Sequence, residues 1–496
     1  MISALARLFS TSRRRRRISP IAGTQSAELL EFRRLPAQIT VTSLADSEVL
    51  DGDVTLREAI AAANDDISVD GSAAGNGADE IVFSPALRAL GSVRFNISLG
   101  EFNITSPLTI KGFGSMACVL DAQSLSRLFR ISGNASDVQL QSLGLFGGAV
   151  FTDNTSPETV DGNGGAILHE AAGTLSLTDC WISENSTSGT FAAGGAIYST
   201  TDCSLRNCII QANRTLGPDA LGGAIAAIAG NLTIEDCLFV GNYTSNTAAC
   251  GGAVFIGSGS GTIQRSQFQS NSTAFEDAAG GAVAVGSGNV EFTDCDFQYN
   301  STAGWNAFGG AVSVESGTVL LSRTNMFSNS TNGDDAFGGA VGGRGNSTIR
   351  LVDSTLSDNS TLSSGANGGA VATIFSTLKI TQSTFSGNQT LGLQSSGGAI
   401  SAISGRLSLI QSTVTLNKVG QLTNAIGGGV NCTTSDVQIH NSIIAGNTDN
   451  ETAPDLFLSS PNTPAGAVRN SLIGRSNGSR LTSTTGTSAD NLGNFV

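Results

Sequence analysis

The sequence predicts an all-β fold, a single-stranded right-handed parallel β-helix (a solenoid) of about 29-residue coils with a short N-terminal capping helix. Three observations predict it. The first is a Gly-Gly pair that begins at Gly164, Gly194, Gly222, Gly251, Gly280, Gly309, Gly338, Gly368, Gly397 and Gly427, at intervals of 28 to 30 residues. The second is an Asn nine residues before eight of these pairs, at Asn185, Asn213, Asn242, Asn271, Asn300, Asn329, Asn359 and Asn388. An apolar residue stands three places before each Asn, including Phe239, Phe268, Phe297 and Phe385. The third is a period of two within each unit, as in Val290 and Phe292 or Leu232 and Ile234, which marks strands with one buried face. Coiling explains the repetition itself. In a solenoid each unit sits on its own copy, so like residues stack about 4.8 Å apart and every position wants the same residue type above and below.

Each element of the unit then has a reason. Its length leaves room for about three short strands. Gly-Gly lets the backbone turn tightly or approach its neighbour closely. The apolar residue before Asn points inward and forms a stacked column. The Asn is expected to take the left-handed conformation of a turn and to bond to the Asn of the next coil. The eight residues between Asn and Gly-Gly are expected to project as a loop, so that repeated loops make one continuous face. At the head, Thr55 and Glu58 form a capping box before an Ala-rich helix, suited to cover the open end of the solenoid.

Composition agrees. The chain has 62 Gly, 9 Pro and 13% charged residues among 496, which suits strands and tight turns better than a helical array. Net charge is −14. Eight of the 26 basic residues and two of the 40 acidic ones lie before residue 35, so the rest carries 18 against 38, a net of −20. An acidic body argues against nucleic acid as a partner. No run reaches the length of a membrane helix. The basic run Arg13–Arg17 reads as a solvated tail or a targeting signal. The expected organisation is a basic leader or export segment over 1–38, a cap with the first coils over 39–163, the repeat over 164–447 and an irregular tail over 448–496.

The Gly-Gly-Ala-Ile and Phe-x-x-Asn elements, alternating at constant spacing over 164–447, resemble the polymorphic outer-membrane protein repeat. Ile39–Ser47, Val54–Asn64 and Gly77–Phe83 resemble the CSLREA domain, with Val54 and Thr55 where that family has Cys and Ser. Leu30–Ala37 looks like a leader element found before some such domains. The resemblance implies a bacterial, exported or cell-surface β-helix, outer-membrane-associated, that acts in adhesion or surface and polysaccharide binding without catalysis. Members that transport themselves end in a large barrel, and 49 residues after Asn447 are too few for one. The alternatives are a polysaccharide lyase or glycoside hydrolase, and a self-associating envelope protein.

Candidate chemistry is sparse. The eight Asn residues match the glycosylation sequon, but turn stacking explains them as well. Cys180, Cys208, Cys237 and Cys295 share one repeat position, where a ladder of small residues is favoured over disulfides. His169 and His440 lack motif context. Asp219, Glu276, Asp277, Asp334 and Asp335 precede Gly-Gly pairs, and clustered carboxylates of this kind hold Ca²⁺ or act as acid and base on other β-helices. Trp305 replaces an acid in the unit between them. No cofactor other than calcium is expected, and the partner is a polysaccharide or another cell surface.

Overall fold

The computed structural model describes residues 36–154, 156, 160–420, 426–433, 436–449, 454–459, 467–475, 479, 481 and 494–496. The leader expected over 1–38 lies outside these residues apart from its last three. The described chain winds as a parallel β-helix. Every strand pairs in parallel with its equivalent one coil away, as Val283–Val285 pairs with Val254–Ile256 on one side and Val312–Val314 on the other.

Each central coil holds four strands, not the three the unit length suggests. The coil that begins at Val283 runs through Val283–Val285, Asn289–Thr293, Asp296–Gln298 and Ser301–Ala303. These belong to sheets I to IV, of 13, 15, 14 and 10 strands among the described residues. Thirteen coils at the spacing of paired strands span about 60 Å along the axis. The fourth strand is legible as Asn-Ser-Thr-Ala, but it has no period-two apolar signature because the side chain it buries is a threonine.

The core lies inside sheets I to III. Val283, Val285, Val290, Phe292 and Phe297 of this coil are all buried in one continuous cluster that runs the length of the helix. Phe239, Phe268 and Phe297 stack with ring centroids 4.8 Å apart and planes nearly parallel. Stacking at that distance is imposed by strand spacing, and the offset rings gain dispersion energy from it.

The segment between Asn and Gly-Gly is not a projecting loop. Strand IV is followed by a tight turn, closed in the central coil by the Ala307 N–H donating to the Gly304 carbonyl at 3.3 Å. An isolated bridge residue then precedes Gly-Gly, in the file Ala193, Leu221, Cys250, Ala279, Phe308, Phe337, Asn367, Ser396 and Ile426. This segment folds back over the outer face of sheet I and closes a second, thinner apolar layer, where Leu168, Ala193, Tyr198 and Ala226 pack together. Each Gly-Gly pair is pinned there by backbone. A Cβ on Gly281 would lie 2.1 Å from the Gly310 carbonyl oxygen and 2.5 Å from that of Ser301. Its partner Gly280 sits at φ +65°.

The helix Leu56–Asp65 closes the N-terminal end. Thr55 Oγ1 accepts from the Glu58 N–H at 3.2 Å, and Glu58 Oε2 accepts from the Thr55 N–H at 2.9 Å. Leu56, Ala59, Ile60 and Ala63 enter the core of the first coils. Arg57 fixes the helix by pairing with the buried Asp46 at 2.7 Å, and Asp46 also accepts from the Ser98 and Leu99 N–H groups. Burial pulls against these bonds, and the Arg57 and backbone donors still hold the Asp46 carboxyl below its ordinary pKa. Beyond Asn447 the described residues are not irregular: Leu456–Leu458, Val468–Arg469 and Leu472–Ile473 continue sheets I, II and III.

Candidate functional site

Three files of inward polar groups run parallel to the axis. The first is the asparagine ladder. Asn271 donates from its backbone N–H and its Nδ2 to Asn300 Oδ1, both at 3.0 Å, and Asn300 repeats this toward Asn329. Each Nδ2 also donates to the carbonyl of the apolar residue one coil back, as Asn300 does to Phe268 at 2.9 Å. The ladder runs from Asn185 through Asn213, Asn242, Asn359, Asn388 and Asn417 to Asn447, where the buried Asp455 accepts the last pair of bonds. The Asn residues are not the left-handed ones. That conformation falls on the residue before each, such as Ser270, Tyr299 and Ser328, because the chain must turn before the amide can enter the core.

The second file is threonine, two places after each Asn: Thr187, Thr215, Thr244, Thr273, Thr302, Thr331, Thr361 and Thr390. Each is buried, and none of the eight hydroxyls has a protein partner. Val150 and Val419 occupy the same register at the two ends. The apparent glycosylation sequon is thus one buried Asn and one buried Thr from adjacent ladders. An amide with 0% exposure, as at Asn271 and Asn300, has no side on which to carry a glycan in the folded chain.

The third file holds the four cysteines. Cys208 donates to the carbonyl of Arg206, two residues earlier, and Ser354, Ser383 and Ser412 make the same bond in later coils. The Cys208 N–H reaches Cys237 Sγ at 3.4 Å, as the Ser354 N–H reaches Ser383 Oγ at 3.2 Å. All eight cysteines are free thiols. Burial pushes the Cys295 thiol up to about 11 and that of Cys203 up to about 12, which leaves them protonated and inert at neutral pH. His169 faces the core with Nδ1 2.8 Å from Ser199 Oγ, and burial takes its pKa down to about 4.

Outside the core two features stand out. One is a cavity of about 480 Å³ at the corner between sheets II and III, lined by Asp179, Asn207, Asp236 and Arg265 with Ile209 and Leu238. Asp179, Asn207, Asp236, Arg265, Asp294, Arg323 and Asp353 all take the left-handed turn there. They are joined coil to coil: Asn207 donates to Asp179 at 2.6 Å, Arg265 pairs with Asp236 at 2.8 Å and Arg323 with Asp294 at 2.7 Å. The hydrogen bond from Arg265 holds the Asp236 carboxyl below its ordinary pKa.

The other feature is the ridge of turn tips before Gly-Gly. Asp219, Asp277 and Asp335 are its left-handed turn residues, in one file with Ala248 and Asn306. Asp277 accepts from Asn306 Nδ2 at 2.6 Å, and Asp334 accepts from the Ser364 N–H at 3.2 Å. The acids therefore come from separate coils and are spread along the axis. Among the described residues no three His, Cys, Asp or Glu side chains come together in a way that could hold a metal ion. The aromatic side of this ridge went unread in the sequence: Phe275 and Trp305 are 58% and 53% exposed. Its signal was the break in the files, Phe275 where adjacent coils have Asn246 and Gly304, and Trp305 between Glu276 and Asp334.

Fold and ladders together define a single-stranded parallel β-helix with a polar stack inside it. A model of the Chlamydia polymorphic membrane protein repeat matches residues 130–170 and 382–403, so the chain carries that repeat. The matched stretches contain Gly164–Ile167, and Phe385 with Asn388 and Gly397–Ile400. No curated protein matches the chain. Among solved structures, the A-module of Azotobacter vinelandii mannuronan C-5 epimerase AlgE4 is similar over 79% of this chain and 98% of that one, with 11% identity and a TM-score of 0.34. No described helix is long and apolar enough to cross a membrane, which leaves β-barrels unaddressed.

Proposed function

We propose that the chain is a non-catalytic binding β-helix of a bacterial envelope, acting in adhesion or polysaccharide binding through its ridge of turn tips. The observation that carries this is the division of labour within each coil. The inner asparagines and the ridge backbone are joined by bonds between coils, while the tip side chains vary freely: Thr190, Pro218, Thr247, Glu276, Trp305, Asp334, Ser364 and Leu393 occupy one file. A constant frame with variable tips suits recognition of an extended partner. The carried repeat and the acidic body support the same reading.

The enzymatic alternative has one observation behind it, the corner cavity with two carboxylates and Arg265. Its carboxylates serve there as turn residues bound to their neighbours, and Asp236 is held ionised, which is unlike a general acid. The test is to incubate the full chain with a panel of acidic, neutral and amine-bearing polysaccharides and with whole bacterial cells, scoring co-sedimentation and release of reducing ends. Binding without release is the expected result. Heat-labile release that is lost on Asp179→Asn or Asp236→Asn would replace the binding reading with a catalytic one.

A further inference from the structure

Among the described turn tips before Gly-Gly, exposed aromatics occur in two consecutive coils, Phe275 in one and Trp305 in the next. Phe275 occupies a file that adjacent coils fill with Asn246, Gly304 and Gly333. It keeps φ +87°, a conformation that a bulky residue rarely adopts, and it exposes 58% of its surface. Trp305, one coil on and one residue further along the turn, is 53% exposed. The core does not account for either ring, since neither is buried in it. Two exposed aromatics on consecutive turn tips of a rigid frame offer large, amphipathic contact area to a partner.

Charge states what they would bind. Along the axis Trp305 lies between Glu276–Asp277 on one side and Asp334–Asp335 on the other. Glu276, Asp334 and Asp335 are exposed, and Asp277 is half-buried. No Lys or Arg occurs from Asn271 to Ser322, and Arg344 of the next coil, which lies over the Phe308 ring, is paired with Glu315. An aromatic face set among carboxylates favours a cation over a neutral or anionic group. The backbone removes one way in which a cationic peptide binds, addition as a strand. The N–H groups of Ala248, Asp277 and Asn306 donate to the carbonyls of Glu276, Trp305 and Asp334, so the ridge has no free strand edge to which a peptide could add. A sugar needs no such edge. It can lay a ring face on the indole and place an amine between the carboxylates.

We infer that the Phe275–Trp305 ridge binds a glycan whose sugars carry free amines. The inference rests on the binding reading above and names its partner chemistry. The probe is a glucosamine oligomer titrated into the full chain by calorimetry, with the N-acetylated oligomer and polylysine as comparisons. The native chain is expected to bind the glucosamine oligomer, to bind its N-acetylated form at least about tenfold more weakly, and to lose affinity as salt rises. Trp305→Ala and the pair Glu276→Gln with Asp334→Asn should each weaken binding about tenfold. Phe275→Gly, which restores the residue of the adjacent coils, should weaken binding while the fold is kept or strengthened. No binding of the glucosamine oligomer, equal binding of both oligomers, tighter binding of polylysine, or indifference to these substitutions would overturn the inference. If the chain then still binds other polysaccharides or cells, the binding reading survives without it; if it binds none, both fall.

Discussion

Asn300 shows what one residue does in this fold. Its side chain accepts two bonds from Asn271 and gives one each to Phe268 and Asn329, all in the buried interior. Asn300→Ala would leave the Asn271 N–H and the Phe268 carbonyl buried without these partners, at a cost of about 3–5 kcal/mol, to be read from denaturant unfolding. The neighbouring ladder behaves in the opposite way. The Thr302 hydroxyl has no protein partner, and Val already fills its register at Val150 and Val419. Thr302→Val is therefore expected to raise stability by up to about 1 kcal/mol, while a loss of that size would mean that the hydroxyl is satisfied. His169 sets a pH dependence. Its folded pKa of about 4 lies below the unfolded value of about 6.5, so the unfolded chain binds the extra proton between them. The contribution is present above pH 6.5 and is lost as pH falls toward 4, by about 3 kcal/mol in all. The stability difference between the native chain and His169→Leu should change by that amount across this window; a constant difference would contradict a buried neutral imidazole.

At the scale of the coil, the Gly-Gly turn is where sterics decide. Gly281→Ala puts a Cβ 2.1 Å from the backbone of the next coil, which cannot move without its own neighbour. The expected cost exceeds about 3 kcal/mol. Gly241 has φ +62° and nothing within 4 Å of its Cβ, in a file where Ala212 and Ser270 already adopt this turn. Gly241→Ala should cost about 1 kcal/mol. The same contrast explains what the sequence made legible. Sheets II and III bury alternating apolar side chains, so Val290, Phe292 and Phe297 announce themselves by period. Strand IV buries Thr302, and the bridge residue buries whatever matches sheet I, from Ala193 to Phe308, so neither carries a simple hydrophobic pattern. The buried alanines Ala192, Ala220, Ala249, Ala278, Ala307, Ala336 and Ala366, one per coil, were the readable sign that this segment folds inward. The asparagine ladder was legible as a repeat, but the left-handed turn was not, because Ser270 and Tyr299 give no hint of a positive φ. The candidate ridge was read as acidic alone, since a lone Trp305 among repeats is indistinguishable in sequence from drift.

At the largest scale, the described coils form a nearly one-dimensional stack. Each coil touches the coil before and the coil after, the hydrophobic core is continuous, and the helix Leu56–Asp65 closes one end. Stability should then be a sum over coils and their interfaces rather than a property of one site. The charged files on the surface add little to that sum, since exposed pairs such as Arg323–Asp294 are screened by water and weaken further with salt. The central claim is that the sequence repeat is an axial register, in which each residue faces its own copy one coil away. The most direct test removes one coil. Deleting Tyr243–Asn271 joins Asn242 to Ser272 and leaves every ladder in register; deleting only Tyr243–Gly257 shifts every file. Circular dichroism and thermal unfolding of the two chains should show the first folded, β-rich and cooperative, and the second unfolded or aggregated. Loss of the fold in the first, or equal tolerance of both, would contradict the register on which the account rests.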